Sequence, residues 1–312
     1  MEKKLHLSLA FFLLIICHLP AQVACQIIKD EIFDQKRNAY GVQMINIDPD
    51  NQVWTQKMGV GKTPVMLLHG GPGATHEYFE NFPEYLDTLK YTIYFYDQLG
   101  SYFSDKPDLE NLWELDRFVE EVETVRIALG LTNFYLLGHS WGGIVAFHYA
   151  LKYPENVNAL ILSNSPCTSF GTFDYRNEVF QKTKKELKVE LDRKPTQAEL
   201  RDKYNEIYRY GLDTVPEVFT RLERHYNRDP KIWESGFFKQ KKWTLEEKAK
   251  EIQMPTLIIG GEMDFVDPND FRLLHSAIPD SELVILPNAG HFSMWSVPEA
   301  YFKSLDDFIT KK

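Results

Sequence analysis

Short apolar runs alternate with amphipathic segments along this chain. Six of the runs are continuous, uncharged and four or five residues long, which is typical of strands that are buried on both faces of a sheet. These runs are residues 65–68, 92–96, 134–137, 159–162, 256–259 and 283–286. Because amphipathic segments separate them, the order predicts a mostly parallel central sheet with helices on both faces.

Other segments predict a hairpin before this sheet and helices around it. Residues 41–47 and 52–57 flank the turn-forming stretch Asp-Pro-Asp-Asn, so we expect an antiparallel hairpin that leads into the sheet. Residues 115–129 have apolar side chains at helical spacing and are followed by a glycine, which predicts a helix. Further helices are predicted at 144–153, before a proline, and at about 298–309.

The pattern changes after the fourth of the six runs. Up to about residue 251, charged and aromatic residues dominate, continuous apolar runs disappear, and segments 178–191 and 197–210 have helical character. This stretch therefore predicts a helical cap that is inserted into the sheet domain. The predicted division is a first core segment at 26–167, a helical cap at 168–250 and a second core segment at 251–312.

Residues 1–25 have the pattern of a signal peptide. Two lysines precede an apolar run at 7–17, and the small residues Ala21 and Ala24 precede a polar chain. The apolar run is short for a stable membrane span, and an uncleaved anchor is the alternative. We therefore expect an exported protein, periplasmic or secreted, with a lipid anchor on Cys25 as a further alternative.

Composition narrows the classes of partner. With 312 residues, 44% of them hydrophobic, the chain can bury a large core in one domain with an insertion. Its net charge is −10, with 35 basic and 45 acidic residues and one short basic run near 239–242, so nucleic acid is not an expected partner. Of three cysteines, only Cys167 lies beyond the predicted signal peptide. No internal disulfide is then expected, and Cys167 is interpreted as a small buried residue.

Residues 138–142, Gly-His-Ser-Trp-Gly, fit the pattern G-x-S-x-G between a predicted strand and a predicted helix. A sharp strand-to-helix turn has little room for side chains at its flanks, and the two glycines provide that room. Such a turn would hold the Ser140 hydroxyl above the sheet, beside a helix N-terminus that stabilises a developing oxyanion. This context predicts that Ser140 is a nucleophile rather than part of an ordinary turn.

A nucleophilic serine needs a base for its proton and donors for the oxyanion. Trp141 N–H, directly after the nucleophile, is one predicted donor. The second donor should come from a glycine-rich loop after an earlier strand, and residues 69–73, His-Gly-Gly-Pro-Gly, meet that requirement. Gly71 N–H is our candidate because glycine lets the backbone approach the reacting carbonyl. Its neighbour Gly70 is expected to contact the substrate.

The acid and the base should follow the nucleophile in the order acid, then histidine. Among nine histidines, His291 alone follows a late strand and its loop in this order. It is therefore the predicted general base, and the acid would fix its tautomer. The loop after strand 256–259 offers three carboxylates for the acid, Glu262, Asp264 and Asp267.

Four segments together resemble the proline iminopeptidase family of α/β hydrolases. They are residues 69–73, residues 96–100 with 104–107, residues 261–264 and residues 290–295, with the sequences HGGPG, YDQLG with SDKP, GEMD and GHFSMW. The similarity runs from about residue 65 to the C-terminus. It implies an α/β-hydrolase fold with a mostly parallel sheet and an inserted helical cap. It also implies that Asp264 is the acid of a triad with Ser140 and His291.

The resemblance implies a serine aminopeptidase that releases an N-terminal residue, proline or a small apolar one, from a short peptide or aminoacyl-amide through an acyl-enzyme. Such an enzyme needs no cofactor and no metal, and the sequence holds no H-E-x-x-H or clustered Cys/His set.

A carboxylate is the physical means of recognising a free α-amine. Glu234 falls near the family's cap glutamate, although a solvated helix-end charge is its alternative reading. The family's second glutamate is replaced by Phe265, which would instead pack against the substrate.

Two other function classes remain open. An esterase or amino-acid amidase would use the same triad on a different acyl group. A binding protein would keep the fold without catalysis, but all triad candidates and both oxyanion elements are present. An epoxide hydrolase or dehalogenase is disfavoured, because those relatives place an aspartate where Ser140 stands. The sequence does not predict the oligomeric state.

Overall fold

The computed structural model describes residues 39–166, 169–212, 215–240 and 243–312. The predicted signal peptide, its Cys25 and the predicted buried residue Cys167 lie outside these residues. Within them, one sheet of eight strands has the order β1-β2-β4-β3-β5-β6-β7-β8. The strands are β1 Val42–Asn46, β2 Gln52–Met58, β3 Thr63–Leu68, β4 Tyr91–Asp97, β5 Phe134–His139, β6 Val157–Ser163, β7 Thr256–Gly261 and β8 Ser281–Leu286.

The sheet is mostly parallel, as the sequence predicts. β1 pairs with β2 and β2 with β4 in antiparallel fashion, whereas the pairings from β3 to β8 are parallel. The predicted hairpin and all six predicted buried strands are confirmed, with ends that differ by at most two residues. Because the carboxyl ends of parallel strands meet at one edge of a sheet, the loops after β3, β5, β6, β7 and β8 lie close together there.

Helices cover both faces of the sheet. Alternate residues of β3 enter two separate apolar clusters, Met66 and Leu68 on one face, Val65 and Leu67 on the other, which is the period of two that a strand imposes. The helices outside the cap are α1 Phe82–Tyr85, α2 Leu115–Ala128, α3 Trp141–Lys152, α9 Pro268–Ala277, α10 Ser293–Ser296 and α11 Pro298–Lys311. The 3₁₀ segments His76–Phe79 and Pro154–Asn156 complete this set.

The segment between β6 and β7 is helical in its described parts. Its helices are α4 Ser169–Leu191, α5 Gln197–Tyr208, α6 Glu217–His225, α7 Gly236–Lys239 and α8 Glu246–Ala249, with a 3₁₀ segment at Pro230–Glu234. The helix predicted at 178–191 begins at residue 169 in the structure. The sequence analysis missed residues 169–177 because they contain a glycine and aromatic residues, which are weak helix formers. We keep the name cap for 168–250, whose boundaries stay a prediction. Among the described residues no helix has both the length and the apolar character of a membrane span.

Candidate active site

Ser140 occupies the turn between β5 and α3. Its φ of 56° lies in a region that residues with a side chain rarely adopt and that is concentrated at functional sites. The turn requires glycine at position 138, since a Cβ there would lie 2.2 Å from the Gly142 carbonyl oxygen. Trp141 is the first residue of α3, so its N–H has no partner inside the helix. The geometry is that of a nucleophile presented at a helix N-terminus.

His291 and Asp264 form a hydrogen-bonded pair at the same edge of the sheet. His291 Nδ1 lies 2.8 Å from Asp264 Oδ1, and both side chains are buried. The carboxylate accepts two further hydrogen bonds, from Val266 N–H at 3.0 Å and from Asn164 Nδ2 at 2.7 Å. With Nδ1–H directed at Asp264, the other ring nitrogen is the one that remains to accept a proton.

The other two carboxylates of this loop have different environments. The Glu262 side chain is exposed. Asp267 precedes α9 and accepts a hydrogen bond from Asn269 N–H at 2.9 Å, which is the contact of a helix N-cap. Of the three candidates, the structure therefore brings Asp264 to His291.

Asn164 is a part of the site that the sequence analysis missed. It follows β6 with a φ of 49°, and its buried side-chain amide donates to Asp264 and also to Ser293 Oγ at 2.9 Å and Gly290 O at 3.2 Å. These bonds join the loops after β6, β7 and β8. A polar residue at the carboxyl end of a buried strand is the one sequence signal that marks it.

The glycine-rich loop after β3 packs directly on the nucleophile. A Cβ at Gly70 would lie 2.9 Å from Ser140 Cβ, so a larger residue would displace the serine. Gly70 N–H donates to the Tyr78 hydroxyl and is therefore not available to a substrate. Gly71, with a φ of 121°, lines the same cavity as Ser140 and Trp141.

A buried chain of hydrogen bonds, also missed by the sequence analysis, connects three loops of the site. The Tyr78 hydroxyl that accepts from Gly70 lies 3.2 Å from His139 Nδ1, and His139 Nε2 lies 2.9 Å from the His291 carbonyl oxygen. Since a carbonyl only accepts, His139 Nε2 donates and Nδ1 accepts from tyrosine. Burial, and after it the nearby His291, holds the pKa of His139 well below its ordinary value, so this ring is neutral.

The cap contacts the glycine-rich loop directly. Asn227 N–H donates to the Gly73 carbonyl oxygen at 2.8 Å. Nearby, the fully buried Glu77 accepts from His225 Nδ1 of α6 at 2.8 Å. Arg221 of the same helix pairs with Glu80 and approaches Glu77 to 3.7 Å. The position of α6 is thus coupled to the loop that carries Gly71.

Ser140 and His291 line one cavity of about 480 Å³, a size typical of small-ligand sites. Its wall is largely aromatic, with Trp141, Tyr226, Trp233, Phe238, Trp243 and Phe265 among the lining residues. The Phe265 ring lies 4.1 Å from the His291 ring, centroid to centroid. Gly70 also lines the cavity.

The structure does not bring Glu234 to this cavity. Its side chain is exposed, and only its neighbours Ile232 and Trp233 are lining residues. The charged lining residues are instead Arg209, Glu223 and Arg228. The described residues hold no group of three His, Cys, Asp or Glu side chains that could bind a metal ion.

This chain is similar in sequence and in structure to known proteins. A model of the α/β hydrolase fold family matches residues 63–298. A proline iminopeptidase of Flavobacterium johnsoniae is 34% identical over 277 residues, which are 83% of this chain and 93% of that protein. A proline iminopeptidase of Elizabethkingia meningoseptica is 34% identical over 280 residues, with the same two shares. The crystal structure of the Mycobacterium smegmatis proline iminopeptidase superposes with a TM-score of 0.74 at 23% identity, covering 86% of this chain and 98% of that one.

Proposed function

The chain belongs to the proline iminopeptidase family of α/β hydrolases, and from this premise we propose that it is a serine aminopeptidase. Its substrate would be a short peptide or aminoacyl-amide with an N-terminal proline or small apolar residue. The observation that carries the proposal is the buried His291–Asp264 hydrogen bond of 2.8 Å behind a serine at a strand-to-helix turn. Those three groups are the parts that acyl transfer by serine requires.

In the proposed reaction, Ser140 Oγ attacks the carbonyl carbon of the N-terminal residue while His291 accepts its proton. The Trp141 and Gly71 N–H groups would stabilise the oxyanion, and such fixed donors make a large contribution to acyl-transfer catalysis. Collapse of this intermediate expels the rest of the peptide, whose amine takes the proton from His291. Water then attacks the acyl-enzyme with His291 again as the base, and the free amino acid and Ser140 are regenerated.

The carboxylates near the cavity are not placed to receive a free amine. Glu234 is exposed and outside the cavity, and Glu223, the carboxylate among the lining residues, already pairs with Arg209. Phe265 adds apolar surface next to His291, which suits a proline ring or a small apolar side chain. These observations favour one second candidate, an esterase or amino-acid amidase that uses the same triad without a requirement for a free amine.

We also propose that the protein is exported to the periplasm or the exterior after cleavage of residues 1–25. The support is the sequence pattern of that segment, with its basic start and short apolar run. N-terminal sequencing of the mature protein, together with mass spectrometry for a lipid on Cys25, tests this proposal. A mature chain that retains Met1 and the apolar run would contradict it.

The activity is tested with arylamides of proline, alanine and leucine, each with a free and an acetylated amine. We expect cleavage of the free prolyl compound and a large loss on acetylation, because the family resemblance implies recognition of a charged α-amine and acetylation removes that charge. Equal rates on free and acetylated compounds, with Ser140 labelled by a fluorophosphonate, would favour the esterase or amidase. No labelling of folded protein would favour a binding protein.

A further inference from the structure

The charges on the cavity wall are opposite in sign to the charge of the whole chain. The chain has a net charge of −10, yet the charged lining residues are two arginines, Arg209 and Arg228, and one glutamate, Glu223. All three belong to the cap. Since Arg209 Nη2 pairs with Glu223 Oε1, one positive charge is left on this wall.

Arg228 is held in place by contacts that leave most of its guanidinium donors accessible. Its Nη1 donates to the Glu223 carbonyl oxygen at 3.0 Å, and its guanidinium carbon lies 5.1 Å from the centroid of the Tyr226 ring. Among the residues that the structure describes, no carboxylate lies within 4.0 Å of its nitrogens. Capping of α6 by an arginine explains the one bond to Glu223 O. It does not explain a guanidinium without a counterion on the cavity wall.

We propose that Arg228, with the Arg209–Glu223 pair beside it, binds the C-terminal carboxylate of a short peptide whose first residue lies at Ser140. This inference rests on the proposed function. A planar guanidinium binds a carboxylate through two parallel hydrogen bonds, and the net positive charge of the cluster favours a carboxylate over an ammonium group.

The consequence is selectivity for peptide length. An extended chain advances at most about 3.6 Å per residue. Because Ser140 and Arg228 line the same cavity of about 480 Å³, a peptide with its first residue at Ser140 and its carboxylate at Arg228 is short. A longer peptide would place an uncharged amide opposite Arg228 and would have to leave through the cavity mouth. The enzyme would therefore act on short peptides in preference to longer chains.

The test compares prolyl-glycine with prolyl-glycine amide, which differ only in the terminal charge. We expect wild-type kcat/KM to be about 10-fold or more higher for the free acid, mainly through KM, because a charge-assisted hydrogen bond contributes about that factor. In Arg228→Gln the ratio should fall to less than about 2, and Arg228→Lys should retain part of it.

Arg224→Gln is the matched control, because Arg224 lies four residues before Arg228 in the last turn of α6, is exposed and does not line the cavity. It should keep the wild-type ratio, and fluorophosphonate labelling shows that each variant is folded at its site. Equal wild-type rates on acid and amide, an unchanged ratio in Arg228→Gln, or an equal loss in Arg224→Gln would each overturn the inference. Failure to cleave any free-amine substrate, prolyl-arylamide included, would instead overturn the proposed function.

Discussion

The carboxyl edge of the sheet and the cap both line one cavity, and they are built differently. At the sheet edge, Asp264 and His291 are buried and tied by short hydrogen bonds to the ends of other strands. On the cap, Glu223 and Arg228 are exposed, and their contacts are to neighbouring cap residues. From this difference we expect the chemistry to depend on the buried residues of the sheet edge and substrate selection to depend on the exposed residues of the cap. Substitutions at the sheet edge should act on kcat, and substitutions in the cap should act on KM.

The largest effect is expected for Ser140→Ala. Removal of the nucleophile should lower kcat by about 10⁴-fold or more while the fold stays intact. Steady-state rates on prolyl-arylamide and a thermal unfolding curve measure both quantities. Ser276→Ala, on the exposed side of α9, is the control and should retain full activity. Turnover by the Ser140 variant at more than about 1% of wild type would refute the acyl-enzyme mechanism.

Asp264→Asn should lower kcat by about 10³–10⁴-fold, because an amide no longer fixes the His291 tautomer or stabilises the imidazolium. Asp267→Asn is a matched control in the same loop. Asparagine is as good an N-cap as aspartate for α9, so its kcat should change by less than about 2-fold. A larger loss in the Asp267 variant than in the Asp264 variant would reverse the assignment of the acid.

Tyr78→Phe tests the hydrogen-bond chain behind the site. The hydroxyl that accepts from Gly70 N–H and donates to His139 is lost, which leaves a buried donor unpaired and loosens the glycine-rich loop. We expect kcat to fall about 10-fold with KM nearly unchanged. Tyr85→Phe, at a half-exposed ring stacked on Phe302, should have no effect. A change confined to KM would indicate that Tyr78 acts on substrate binding instead.

The free energy of unfolding should decrease as the pH is lowered from 7 to 5, because His139 is buried in its neutral form. Its folded pKa is lowered mainly by burial, so below an unfolded pKa of about 6.5 the unfolded chain binds a proton that the folded chain does not. Each such histidine contributes a slope of up to about 1.4 kcal/mol per pH unit. Urea unfolding at pH 7 and pH 5 should show a smaller loss of stability for His139→Gln than for wild type. Equal losses would show that His139 is not the group responsible.

The smallest effect is expected at the contact between the cap and the core. Arg221→Gln removes the ion pair with Glu80 and the 3.7 Å approach to Glu77, which keeps its bond to His225. A partly exposed pair such as Arg221–Glu80 contributes about 1 kcal/mol or less. KM should therefore rise by no more than about 5-fold, with kcat unchanged. Arg193→Gln, which breaks an exposed pair with Glu199 inside the cap, is the control. A fall in kcat for the Arg221 variant would show that the cap also positions catalytic groups.

The sequence analysis was most successful where the determining interactions are local. Strand and helix positions follow from the apolar period, and Ser140 and His291 were selected by the order of strands and loops. The residue pattern alone did not identify the acid of the triad, because three carboxylates lie within six residues. The family resemblance was needed to select Asp264. Burial and the bond to His291 distinguish it in the structure. Asn164 was missed because Asp264, which it contacts, is 100 residues away along the chain.

By itself, the sequence determined the sheet with its inserted cap, the strand-to-helix turn at Ser140 and the candidates for the acid and the base, because apolar period and turn chemistry act over a few residues. Only the tertiary structure decided which side chains face the cavity. It brings Phe265, Arg209 and Arg228 to the wall and leaves Glu234 in solvent. The physical reason is that the direction of a side chain in the cap depends on packing against distant segments, and no local pattern encodes that packing.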